Sequence, residues 1–153
     1  MEKIIHIADL ADMKRFAAAV AAHAKPGFVI GLAGDLGSGK TTFTKYLAQA
    51  MGIKDVVNSP TFTILKIYKG GLPLYHMDVY RLETIGYDWS LEEFIGGDGV
   101  AVIEWYPYVK AMLPQELITI DIRATGENTR EIRIEGEGAY EPIVEDVVSR
   151  YRD

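Results

Sequence analysis

Short apolar runs rich in β-branched residues recur along the chain and alternate with amphipathic segments of helical spacing. The runs predict strands, which in chain order are KIIHI, FVIGL, FTILKIY, LPLYHMDVY, GVAVIEW, ELITIDIR and REIRIEG. The amphipathic segments predict helices, which are LADMKRFAAAVAAHA behind an Asp9 cap, TTFTKYLAQAMG, a short helix from a capping box at Ser90 to Glu93, another from Pro107 to Leu113, and YEPIVEDVVSRYR. Strands alternating with helices indicate an α/β fold.

Turn residues divide the strands into a central group and two hairpins. Gly70 and Gly71 separate two β-prone runs, and the segment ATGENT separates the last two, so each pair is predicted to be antiparallel. Pro73 predicts that the second arm of the first hairpin lies near a sheet edge. We therefore expect a three-layer sandwich with a largely parallel central sheet and antiparallel hairpin edges, in a single domain covering residues 1–153.

A glycine-rich turn lies between the second predicted strand and the helix that follows it. Its spacing, Gly34-x4-Gly39-Lys40-Thr41, fits G-x-x-x-x-G-K-[ST], and Gly37 adds a third glycine. In such loops the backbone N–H groups surround phosphates, the lysine reaches the outer phosphates and the hydroxyl reaches Mg²⁺. Because strand, loop and helix come in the required order, the helix N-terminus also favours an anion. The sequence predicts a P-loop NTPase-like fold with a nucleoside triphosphate site.

Two carboxylates outside this loop are candidates for the same site. Glu104 ends the apolar run Val100 to Ile103, a pattern typical of a carboxylate that holds Mg²⁺ in P-loop enzymes. In HMDVYR, Asp78 is a candidate for ordering a metal-bound or attacking water, and Arg81 for neutralising phosphoryl charge. A salt-bridged surface strand explains HMDVYR equally well, and His76 is the weakest candidate because a lone histidine is usually structural.

Two further features have both a functional and a structural interpretation. The segment Ser59-Pro60-Thr61, with Thr63, is either a switch element that meets the γ-phosphate or an ordinary polar turn. Trp105, next to Glu104, either fills the core or faces a partner.

Composition restricts the classes of partner and location. The formal net charge is −6, so the chain has no general electrostatic attraction to nucleic acid, and any RNA would be met through another protein. The chain has no cysteine, which excludes disulfides and thiolate metal sites. Neither a signal-peptide pattern nor a long apolar run is present, so we expect a cytoplasmic protein without a membrane segment.

Sequence motifs that are missing from the chain help to indicate which nucleotide it binds and which reaction it catalyses. Neither N-K-x-D nor D-x-x-G, the guanine and γ-phosphate strings of GTP-binding proteins, occurs in the sequence, which favours ATP. A small-molecule kinase is the alternative to an ATPase. Kinases of that type usually have an arginine-bearing lid, whereas the arginines Arg81, Arg123 and Arg130 are isolated.

Four strings in order, GDLGSGKTTF, NSPTFTI, YHMDVYRL and VIEW, resemble the TsaE (YjeE) family over nearly the whole chain. The resemblance implies a small ATPase of bacterial tRNA threonylcarbamoyladenosine synthesis that binds ATP and Mg²⁺. It also implies TsaB and TsaD as partners, with ATP hydrolysis resetting that machinery between cycles and tRNA contacted only through the complex. We expect hydrolysis to be weak alone and stimulated by the partners, because the chain contains nothing that resembles a substrate domain.

The resemblance also assigns roles to residues. It implies that Lys40 and Asp78 support hydrolysis together with Glu104, and that Thr41 and Glu104 hold Mg²⁺. The implied nucleotide contacts come from the loop, the start of the next helix and one distant arginine: Gly34, Gly37, Ser38, Gly39, Lys40, Thr41, Thr42 and Arg130. Met13 stands where many relatives have a threonine near the base, and the residues that contact the base are left unassigned.

Overall fold

One mixed sheet organises the protein in a computed structural model that describes residues 1–58 and 64–153. Within those residues the sheet has seven strands in the spatial order β1-β7-β6-β2-β5-β4-β3. They are β1 (Glu2–Ile7), β2 (Val29–Ala33), β3 (Leu65–Tyr68), β4 (Leu74–Asp78), β5 (Val100–Glu104), β6 (Ile118–Ala124) and β7 (Arg130–Gly136). The central strands β6, β2, β5 and β4 are parallel, while β3, β7 and β1 pair antiparallel at the two edges. The predicted sheet type and both hairpins are confirmed.

Helices cover the sheet in two different ways. The α-helices α1 (Leu10–Ala21), α2 (Lys40–Ala50) and α3 (Glu141–Arg152) share one apolar core with one face of the sheet. The other face packs against 3₁₀ helices, which are Tyr80–Leu82, Trp89–Phe94 and Tyr106–Met112, while a further one, Gly138–Tyr140, leads into α3. Because side chains alternate along a strand, Val102 enters the first core and Ile103 the second. No helix in the described part of the chain has the length and apolar character to cross a membrane.

The local helix signals are mostly confirmed, with one exception. The side chain of Asp9 caps α1 by accepting a hydrogen bond from the Asp12 amide at 2.9 Å. The predicted Ser90 capping box is wrong, because Asp88 caps the Trp89–Phe94 helix and accepts hydrogen bonds from Ser90 N at 3.0 Å and Ser90 Oγ at 2.6 Å. The helix therefore begins two residues earlier than predicted, with Asp88 in place of Ser90 as its cap.

The expectation that Pro73 marks an edge strand is also wrong, since β4 lies between β5 and β3. Proline is excluded from inner strands because it lacks an N–H donor. Here Pro73 directly precedes Leu74, the first residue of β4, so the ladder loses no donor. The Pro73 carbonyl instead accepts a hydrogen bond from the Val100 amide at 2.9 Å, which helps join β4 to β5.

Candidate functional site

The glycine-rich loop connects the carboxyl end of β2 to the first turn of α2, as predicted. Its glycines have left-handed φ angles, +150° at Gly34, +80° at Gly37 and +111° at Gly39. A Cβ atom at Gly34 would lie 2.5 Å from the Ile122 carbonyl oxygen, so the close approach of β6 also requires glycine there. The loop thus turns tightly and brings the N-terminus of α2 to the end of β2, an arrangement suited to an anion.

Lys40, the first residue of α2, is almost buried, with 7% of its surface exposed. Its Nζ atom donates a hydrogen bond to the Gly34 carbonyl and lies 4.4 Å from the centroid of the Trp105 ring. The ammonium group therefore lies inside the curve of the loop, where a cation–π contact with Trp105 supports it. Thr41 and Thr42 follow at the next two helical positions, and both are partly buried.

Two carboxylates end neighbouring strands beside this loop. Asp78 is the last residue of β4 and Glu104 the last of β5, and the two are register partners. Leu32 of β2 is the register partner of Glu104 on its other side, so Glu104 lies next to the strand that leads into the loop. The carboxyl ends of parallel strands meet at one edge of the sheet, which is where ligands bind in open α/β folds.

The charges around Asp78 act in opposite directions. Burial raises the pKa of the Asp78 carboxyl, and the negative charge of Glu104 raises it further. The Tyr80 amide, which donates a hydrogen bond to Asp78 Oδ1 at 3.1 Å, lowers that pKa, as do the charges of Lys40 and His76. Asp78 therefore stands beside Glu104 at the sheet edge, in the electrostatic range of the Lys40 ammonium.

His76 lies beside one of the candidate carboxylates. It is completely buried, and its Nε2 atom lies 2.5 Å from Oε2 of Glu104, which is itself only 3% exposed. His76 and Asp78 lie two positions apart on β4, so both point to the same side of the sheet. That spacing was the available signal, and it indicated a shared face without indicating Glu104 as the partner.

Trp105 adopts a backbone conformation that is unusual for a large residue. Its φ is +64°, and among the described residues it is the only non-glycine residue with a positive φ. The ring stacks on Tyr108 with centroids 5.6 Å apart and meets the Tyr80 ring edge-on at 5.1 Å. The strained turn after β5 therefore directs the indole towards Lys40, so Trp105 is more than core filling.

Arg130 and Met13 reach the loop from distant parts of the chain. Arg130, the first residue of β7, donates from Nε to the Ser38 carbonyl at 2.7 Å and from Nη1 to the Thr129 carbonyl at 2.8 Å. Arg130 Nε and Met13 Cε each lie 3.8 Å from the position of a Cβ atom at Gly39. Both side chains therefore border the loop, and Arg130 fixes its backbone.

The other candidates from the sequence are Arg81 and the proposed switch segment. Arg81 lies exposed in the 3₁₀ helix that follows β4. The proposed switch segment, Ser59 to Thr61 with Thr63, lies outside the described residues. Its role as a switch element therefore remains a prediction.

The chemistry of the site fits a nucleoside triphosphate with Mg²⁺. Ser38 Oγ is buried and, within residues 1–58 and 64–153, has no hydrogen-bond partner, so the loop has a polar group available for a ligand. In the same residues no three His, Cys, Asp or Glu side chains form a metal cage. Magnesium is commonly bound by one or two protein oxygens plus phosphate oxygens and water, which a loop hydroxyl and a strand carboxylate can accommodate.

Comparisons with known proteins identify the family. A family model for the threonylcarbamoyl adenosine biosynthesis protein TsaE matches residues 7–132. The chain belongs to the TsaE family. The Bacillus subtilis (strain 168) protein named tRNA threonylcarbamoyladenosine biosynthesis protein TsaE is 49% identical over 138 residues, which cover 89% of this chain and 87% of that protein. A Treponema pallidum protein of the same name is 42% identical over 80% of this chain and 93% of its own length.

A solved structure agrees with this assignment to the TsaE family. A crystal structure of Bacillus subtilis YdiB superposes with a TM-score of 0.84 and 40% sequence identity, covering all of this chain and 97% of that chain. The predicted P-loop NTPase-like α/β fold is thus confirmed for this TsaE protein. Its family acts in tRNA threonylcarbamoyladenosine biosynthesis, a tRNA modification.

Proposed function

We propose that this TsaE protein is a Mg²⁺-dependent ATPase that supports turnover of the TsaB–TsaD machinery, which makes threonylcarbamoyladenosine in tRNA. The observation that carries the proposal is the convergence of Lys40, Asp78 and Glu104 beside the glycine-rich loop. Phosphoryl transfer depends on positioning and on neutralising charge more than on covalent chemistry by the protein. The lysine and the helix N-terminus would neutralise phosphate charge, and the two carboxylates would position Mg²⁺ and the attacking water.

The loop and Lys40 would bind the phosphates. The Lys40 ammonium, which donates to the Gly34 carbonyl here, would exchange that acceptor for phosphate oxygens while remaining over the Trp105 ring. The amides of Gly37 to Thr42 and the N-terminal dipole of α2 would add further donors. Arg130 would keep the loop in shape through its bond to Ser38.

The carboxylates would have different roles. Thr41 and Glu104 would hold Mg²⁺, whose charge, when bound with ATP, would stabilise negative charge on the phosphates during transfer. The hydrogen bond from His76 would keep the Glu104 carboxylate in one orientation. Asp78, held through Oδ1 by the Tyr80 amide, would orient the attacking water.

The partnership with TsaB and TsaD is supported by family membership and by the charge of the chain. The TsaE family acts in the same pathway, and the net charge of −6 disfavours direct binding to tRNA. In this proposal the protein works in the cytoplasm and meets tRNA only within the complex. Partner contacts would complete the site, so hydrolysis by the isolated protein would be slow.

Phosphate release from ATP, measured with and without the TsaB–TsaD pair, tests the proposal. We expect slow release by the protein alone, a clear rise with the pair, and loss of both when Mg²⁺ is chelated. Lys40→Ala should abolish the activity, whereas Lys45→Ala, an exposed lysine on α2, should retain it. Transfer of labelled phosphate to a metabolite in place of water would instead favour the small-molecule kinase.

A further inference from the structure

Large apolar side chains are exposed together on the segment that follows β4. Among the described residues nine large hydrophobic side chains are exposed, and four of them lie within ten residues of each other. They are Tyr80, Ile85, Tyr87 and Trp89, with 53%, 59%, 44% and 53% of their surfaces exposed, and are called the aromatic face below. Exposed apolar groups of this kind, gathered in one place, mark interaction sites in soluble proteins.

The aromatic face is held firmly by residues between its members and just after them. Leu82 and Leu91 are buried in the second core. Asp88 donates from its amide to Met112 Sδ at 3.0 Å and caps the next turn, while the flanking rings of Tyr87 and Trp89 stack with centroids 5.2 Å apart. Rigid aromatic groups lose little conformational entropy on binding, which is typical of binding hot spots.

The surroundings of the aromatic face are acidic. Residues 79–98 contain five carboxylates against one arginine, Arg81. The carboxylates are Glu83, Asp88, Glu92, Glu93 and Asp98, and all except the half-buried Asp88 are exposed. Exposed apolar side chains on a segment of this negative charge are complementary to a protein surface that combines apolar side chains with lysine or arginine. The same charge repels RNA and a second copy of this face.

The aromatic face is connected to the nucleotide site. Tyr80 belongs to both, because its amide bonds to Asp78 and its ring contacts Trp105, whose ring lies over Lys40. The backbone of Gly86 also lies against Tyr108, which stacks on Trp105. A protein bound to the aromatic face would therefore touch the residues that position a catalytic carboxylate and the loop lysine.

We propose that the aromatic face docks a protein partner whose surface combines apolar side chains with lysine or arginine, and that this contact is the one through which the partner acts on the nucleotide site. The proposal rests on the proposed function in taking the TsaB–TsaD pair as that partner.

Binding of the full chain to the TsaB–TsaD pair in ATP and Mg²⁺, measured by interferometry, tests the docking surface. The double variant Tyr87→Ala/Trp89→Ala should weaken binding by about tenfold or more, because truncated hot spots lose most of their binding energy. The matched double variant Ile4→Ala/Leu10→Ala, which truncates exposed side chains near the opposite sheet edge, should bind as wild type. Calorimetric ATP binding by each isolated variant establishes that it is folded.

A charge-reversal pair tests the negative charge of this segment in the same assay. Glu92→Lys/Glu93→Lys should weaken binding more at low salt than at high salt, while Glu135→Lys/Glu145→Lys, an equal charge change on exposed residues elsewhere, should have a small effect. Unchanged binding by the folded aromatic double variant overturns the docking inference alone. Failure of the wild type to bind the pair refutes the proposed partnership and the inference together. Direct binding of tRNA or self-association, if lost in the aromatic variant, also overturns it.

Discussion

Lys40 is the residue on which phosphate binding depends most directly in the proposed mechanism. Lys40→Ala removes the only side-chain ammonium described inside the loop, so ATP affinity should fall by about tenfold or more, since hydrogen bonds from charged donors are the strong ones. Calorimetry with ATP and Mg²⁺ measures the change. Lys45→Ala, on the exposed side of α2, should leave the affinity as it is. Equal ATP affinity in Lys40→Ala and wild type would contradict the phosphate-loop assignment.

The two strand-end carboxylates should affect rate more than binding. Asp78→Asn and Glu104→Gln keep the shape of each side chain but remove the charge, so turnover at saturating ATP and Mg²⁺ should fall by about a hundredfold. ATP affinity should change much less. Glu145→Gln on α3, measured in the same assay with the TsaB–TsaD pair, is the control. Wild-type turnover in both variants would assign these carboxylates a structural role.

His76 and Glu104 form a buried pair whose halves depend on each other. His76→Leu leaves a carboxylate that is only 3% exposed without its histidine partner, so the free energy of unfolding should fall by about 3 kcal/mol. The double variant His76→Leu/Glu104→Leu should recover part of that loss, because it also removes the unpaired acceptor. Urea unfolding measures both. A His76→Leu protein as stable as wild type would show that the 2.5 Å contact contributes nothing to the fold.

At the scale of elements, the side chain of Tyr106 packs so closely against β2 that it requires a glycine at position 31. A Cβ atom at Gly31 would lie 2.8 Å from Cγ of Tyr106, so Gly31→Ala must displace this ring or the strand. We expect a loss of about 1–3 kcal/mol in the free energy of unfolding, the usual cost of overpacking a core. Gly71→Ala, in the β3–β4 turn, has open space around its Cβ and serves as the control. Equal thermal midpoints in both variants would argue against this close packing.

Local patterns predicted most elements because each pattern has a local cause. The alternation in β6 and β7 reflects one buried and one exposed face, and ATGENT supplies their turn. The position of β4 inside the sheet could not be predicted from the residues of β4, because the strand order depends on tertiary pairing between strands. Pro73 is compatible with either place when it stands just before the strand.

Part of the candidate site could be predicted, because the carboxyl ends of parallel strands lie at the same edge of the sheet. That rule brought Glu104 to the loop from spacing alone, and Asp78 lies beside it. The contact of Arg130 with Ser38 spans 92 residues and was expected only from the family resemblance. The His76 pairing and the left-handed Trp105 depend on tertiary packing, for which the sequence offers no spacing rule.

At the scale of the whole molecule, ATP and the partners should reinforce each other. If partner contacts reach Tyr80 and Trp105, then ATP at the loop and a protein on the aromatic face bias the same arrangement. We expect ATP to tighten binding of the TsaB–TsaD pair by about tenfold, and the pair to tighten ATP binding by the same factor, because linkage is reciprocal. Calorimetry of each ligand with and without the other measures both factors. The coupling would be excluded if ATP did not change the affinity for the TsaB–TsaD pair and the pair did not change the rate of ATP hydrolysis.

The pairing of β1 with β7 has a consequence for how the protein is made on the ribosome. His6 of β1 is the register partner of Glu131 of β7, which comes 125 residues later in the chain. Strand β1 therefore leaves the ribosome long before β7, its partner in the sheet, has been synthesised. Helix α1 likewise leaves the ribosome long before α3, against which it packs. Contacts between such distant segments form slowly and leave apolar surface uncovered in the meantime. In the nascent chain, β1 and the buried face of α1 are thus the surfaces that a chaperone has the longest time to bind.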